Sequence, residues 1–88
     1  MLDYIKTFCN IPSVVTVYDE QLTLFKSIAV AKLEKNGIEV GDESSPLVRD
    51  FISTYCRLNI VTEPAEQWRN AELRRLDHLQ ELMYYGGV

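Results

Sequence analysis

An all-α fold, a small bundle of four helices forming one domain over residues 1–88, is predicted by three observations. Proline and glycine stand only at Pro12, Gly37, Gly41, Pro46, Pro64, Gly86 and Gly87, and these breakers cut the chain into four stretches. Each stretch carries apolar residues at spacings of three and four. The single run with strand character, "SVVTV" at 13–17, finds no second strand to pair with, so it reads as a linker.

The first helix is short: Leu2, Ile5 and Cys9 make its stripe, and Asn10, Ile11 and Pro12 close it. The second starts at Thr16 or Asp19 and runs to Asn36 and Gly37. Asp19 and Glu20 stand in its first turn and Lys32 and Lys35 in its last, as the helix dipole favours. Leu22, Phe25, Ala29 and Leu33 line one face and Leu24, Ile28 and Ala31 a flank, so this helix is expected to be the central, most buried one.

The loop "GDESSPLVRDF" places two serines beside two carboxylates and then a proline. Pro46 suits the first helical position and Ser45 the cap before it, with Asp42 and Glu43 near the positive end of the dipole. The third helix, from Pro46 through Ile60, turns Val48, Phe51, Ile52 and Tyr55 to one side. Thr62, Glu63 and Pro64 open a fourth of about twenty residues that ends at Gly86 and Gly87. Ala65, Trp68, Ala71, Leu76, Leu79, Leu82 and Met83 share a broad arc expected to pack on helices two and three.

A chain of 88 residues buries only about 60% of its unfolded surface, so its core is marginal. With 47% hydrophobic residues it has apolar surface to spare for an interface. The net charge of −4 is the wrong sign for binding phosphates. No run reaches the about 20 apolar residues of a membrane span, and "MLDYIKTF" lacks the pattern of a signal peptide, so a cytoplasmic origin is expected. In that setting Cys9 and Cys56 read as small apolar core residues rather than a bridge.

Catalysis finds no machinery. Ser45 is explained as a cap, and the lone histidine, His78, stands in a polar helical face beside Asp77, Gln80 and Glu81, which is a solvated face rather than a metal site. There is no CxxC, no glycine-rich phosphate loop and no internal repeat, so neither cofactor nor metal is expected. A helix-turn-helix DNA reader would need a shorter turn and a more basic third helix.

Some residues do not fit a plain core. Glu72 and Arg75 fall inside the fourth helix's apolar arc, where they pair with each other or with a neighbouring subunit. Tyr84 and Tyr85 point away from it, in a terminal segment 84–88 read as a flexible tail, where exposed aromatics suit an interface anchor. The candidate interface residues are therefore Leu24, Ile28 and Ala31 on helix two, Glu72, Arg74 and Arg75 on helix four, and Leu82, Met83, Tyr84 and Tyr85 at its end.

The order "YIKTFCNI", "DEQLTLFKSIAVAKLEKNG", "SPLVRDFISTYCRLNI" and a long polar helix ending "LQELMYYGG" resembles the small head-to-tail connector (head-completion or adaptor) proteins of tailed bacteriophages and prophages. Members often carry an aspartate-rich linker after the first helix; here "PSVVTVYDE" keeps only Asp19 and Glu20. The resemblance implies a structural virion protein of the neck, made in the host cytoplasm. Its subunits, monomeric alone, join into a ring, expected to be dodecameric, below the portal protein. The ring extends the DNA channel without reading sequence and meets another neck or tail-completion protein; residues Leu82 through Val88 would help grip the portal or adjacent subunits. The acidic balance fits, because carboxylates facing a channel repel phosphate and let DNA slide. The alternative is a small cytoplasmic helical adaptor that binds one protein partner through an exposed helix face.

Overall fold

A computed structural model describes residues 1–41, 45–61 and 64–86. It is an all-α bundle of four helices: α1 (Leu2–Phe8), α2 (Asp19–Lys35), α3 (Pro46–Ile60) and α4 (Glu66–Gly86). Among the described residues there is no strand, and no helix is long and apolar enough to cross a membrane.

Two helices end in the same way. After α1, Asn10 adopts a left-handed φ of 59° while Ile11 N–H donates to the Lys6 carbonyl at 2.8 Å and Asn10 N–H to Thr7 at 3.1 Å. After α2, Gly37 at φ 81° does the same. Ile38 N–H donates to Leu33 and Gly37 N–H to Glu34, both at 3.0 Å. This is the Schellman closure, and the buried Ile38 seats beside the buried Leu33 as the motif's apolar contact.

The start of α3 differs from expectation in one respect. Ser45 holds the cap position with extended backbone, and its carbonyl accepts Arg49 N–H at 3.0 Å, but its hydroxyl makes no capping hydrogen bond. The start is set by conformation: Pro46 fixes the first helical φ and has no N–H to satisfy. The expected contributions of Asp42, Glu43, Thr62 and Glu63 fall outside the described residues.

The centre of the fold is α3, not α2. Helices α1, α2 and α4 all pack on it, so Val48, Phe51, Ile52, Ser53, Thr54, Cys56 and Leu58 are buried around most of its circumference. Helix α2 buries only Leu22, Ala29 and Leu33, a single line facing inward. Its apolar residues are divided between two separate faces, of which only one is buried.

Along α4 the stripe is narrower than the expected arc. Leu76, Leu79 and Met83 are buried, Glu72 joins them and Trp68 is half-buried, whereas Ala71 and Leu82 are exposed. The steps from 68 through 72, 76 and 79 to 83 are four, four, three and four, the narrow seam that one partner helix requires. That partner is α3; α4 reaches α2 at its end, where Asn36 Nδ2 donates to Gln80 Oε1 at 2.7 Å. Ala65 lies before the helix and its carbonyl accepts Arg69 N–H at 2.9 Å. The molecule measures 36 × 31 × 18 Å, about two helix diameters thick. A slab of that thickness leaves the outer sides of its helices uncovered.

Candidate interaction surface

The ten residues expected at an interface divide into three groups. The first is the line Leu24, Ile28 and Ala31 on α2, all exposed, with Leu24 at 58%. At 100° per residue this line stands about 150° from the inward line of Leu22, Ala29 and Leu33. It is the outward ridge of α2 rather than its flank. Gln21 and Lys32 border one side of it and Ser27 and Glu34 the other, all exposed.

The second group, Glu72, Arg74 and Arg75, is divided by the fold. Glu72 is only 8% exposed and its Oε1 accepts from Arg57 Nη2 of α3 at 2.8 Å. Arg57 in turn lies over the Phe8 ring at 4.4 Å and the Trp68 ring at 6.0 Å, so α1, α3 and α4 meet at one guanidinium. Arg75 Nη2 donates to both carboxylate oxygens of Asp50 on α3, at 2.7 and 2.8 Å. That hydrogen bonding holds the Arg75 guanidinium protonated still more firmly than usual, against a smaller effect of burial. The expected pairing of Glu72 with Arg75 is thus replaced by two separate ties to α3, because α3 supplies an opposite charge opposite each. Arg74 is exposed.

The third group is the end of α4. Tyr84 and Tyr85, 67% and 84% exposed, are helical, since α4 continues to Gly86; residues 87 and 88 lie outside the described part. Their rings meet edge to face with centroids 5.1 Å apart. With Asn36, Ile38, Gln80 and Glu81 they line an open groove of about 330 Å³. Leu82 is exposed, but Met83 is a core residue at 3% exposure, so the expectation that it joins an interface is corrected: position 83 ends the inward seam.

Lys6 carries a role the sequence did not announce. Its side chain is 3% exposed, and Nζ reaches the Ser13 carbonyl at 3.0 Å and Asp19 Oδ1 at 2.9 Å. One ammonium thereby ties α1, the linker and the first residue of α2. Lys6 stands four residues after Leu2, beside the apolar stripe, and that placement was its only signal.

The remaining chemistry is quiet. Both cysteines are free thiols. Burial pushes the Cys56 thiol up to about 12 and raises that of Cys9 as well, so neither supplies a thiolate near neutrality. His78 is exposed, and no group of three His, Cys, Asp or Glu side chains converges on a metal position among the described residues. Hydrophobic side chains, rather than titratable ones, distinguish this surface. No family model matches the chain, and no curated protein or solved structure matches it.

Proposed function

We propose that the chain is a non-catalytic assembly subunit of the tailed-phage neck, joining others in a ring below the portal and extending the DNA channel from head to tail. The observation that carries this reading is the pairing of two unlike apolar patches on one small subunit. One is the aliphatic ridge of α2; the other is the aromatic end of α4, with Leu82, Tyr84 and Tyr85. A ring joins each subunit to the next by contacts of two different surfaces, whereas an ordinary two-fold dimer needs only one. The connector resemblance of the helix order gives the same role, with the portal and a further neck component as neighbours.

Light scattering over a concentration series, with and without a purified portal assembly, tests the reading, together with images of the largest species. Closed rings with a central hole are expected, at least on the portal. Saturable binding of one subunit to one partner chain, with no ring under either condition, would instead establish the adaptor reading. That second reading is favoured by the spacing of Leu24, Ile28 and Ala31, which suits insertion of a helix face into a groove.

A further inference from the structure

The outward ridge of α2 is bounded by charge in a way that makes it complementary to itself. Glu20, Leu24, Ile28, Ala31 and Lys35 are all exposed and lie within about 40° of one line along the helix. An acid closes one end, a base the other, and the apolar positions fill the middle.

We propose that two copies of this chain pair through α2 in antiparallel fashion, about a two-fold axis between Ser27 and Ile28. Glu20 and Lys35 each stand about 11 Å along the helix from that midpoint, at 1.5 Å per residue. Antiparallel pairing therefore sets Glu20 of each copy level with Lys35 of the other, and Leu24 level with Ala31. The flanking charges, Lys32 and Glu34, fall level with Thr23 and Gln21 of the second copy, both neutral. Parallel pairing would set Glu20 against Glu20 and Lys35 against Lys35, so charge selects the antiparallel arrangement.

The small side chain of Ala31 opposite Leu24 and of Ser27 at the axis let the two helices approach closely. The occupant is thus a second copy by complementarity of sign and of size. One helix face supplies less than the about 800 Å² per partner of a stable complex, so the dimer is weak, with a dissociation constant in the range of about 10–500 µM. The inference rests on the geometry of α2, not on the ring. In a ring-forming subunit such a dimer covers the ridge until a template takes its place, and dimer and ring are mutually exclusive uses of it.

Sedimentation equilibrium of the full chain, at low salt and up to about 1 mM, decides the matter. Wild type is expected to show a monomer–dimer equilibrium that weakens as salt screens the end charges. E20K and K35E are each expected to raise the dissociation constant about fivefold or more, and the E20K/K35E double variant to restore it to within about twofold. Leu24→Asp is expected to leave only monomer, with circular dichroism showing the helices intact. Monomer at every concentration, a dimer that survives Leu24→Asp, or a double variant as weak as the single ones overturns the proposal. A charge-swap dimer without rings on a portal would count against the ring alone, and rings without that dimer would count against the pairing alone.

Discussion

Arg57 and Glu72 show how one buried charge pair ties elements that hydrophobic periodicity leaves separate. The guanidinium lies over the Phe8 ring and near the Trp68 ring and makes a single hydrogen bond to Glu72. Arg57 Nε and Glu72 Oε2 are buried without a partner among the described residues. Such a pair is poor compensation for desolvation, yet breaking it is worse, because the remaining charge is stranded. Glu72→Ala is expected to destabilise the fold by about 3 kcal/mol, the lower end of the range for buried pairs since Arg57 remains partly hydrated. Replacing both, as Arg57→Met with Glu72→Leu, is expected to be neutral or stabilising. Urea midpoints of the three proteins measure this, and a Glu72→Ala midpoint equal to wild type would show the pair to be ornamental. The sequence placed Glu72 on the apolar arc but not its partner, because a partner fifteen residues away on another helix leaves no local spacing to read.

The helix ends were readable where backbone conformation decides and less so where a side chain was credited. Gly37 closes α2 at φ 81°, and a Cβ there would meet nothing within 4 Å. Gly37→Ala therefore carries only the backbone penalty of the left-handed region, about 1 kcal/mol. Ser45→Ala, at a position where capping serines are worth about 1 kcal/mol, is expected to change stability by less than about 0.3 kcal/mol. Its hydroxyl makes no capping bond, and Pro46 already fixes the start. Thermal unfolding of both variants gives the comparison, and a larger loss at Ser45 than at Gly37 would reverse this account of how the two helices are bounded. Proline and glycine announced all four helices for this reason, whereas the identity of the central helix did not emerge. Apolar residues on two faces point to α2, but burial depends on how extensively neighbours pack on a helix, and α3 is the one on which α1, α2 and α4 all pack.

Across the molecule, the thinness of the slab separates stability from association along a single turn of α4. Met83 sits in the seam against the core at 3% exposure, while Tyr85, two residues later, is 84% exposed. The sequence joined both to one terminal interface, since proximity in the chain does not reveal that a step of two reverses the side of a helix. Met83→Ala removes buried volume and is expected to lower stability by about 2–4 kcal/mol without altering which surfaces are presented. Tyr84→Ser with Tyr85→Ser removes exposed aromatic area, so unfolding is expected to shift by less than about 0.5 kcal/mol. Under the proposed neck role, assembly on a portal should respond in the opposite sense, since aromatic side chains left in water by the subunit would be buried only against a neighbour. Portal-bound rings are expected to form with Met83→Ala at temperatures where it remains folded, and to be lost in the tyrosine pair. Rings that persist without both tyrosines would move the second contact surface away from the end of α4 and leave the α2 ridge as the apolar patch through which the subunit associates.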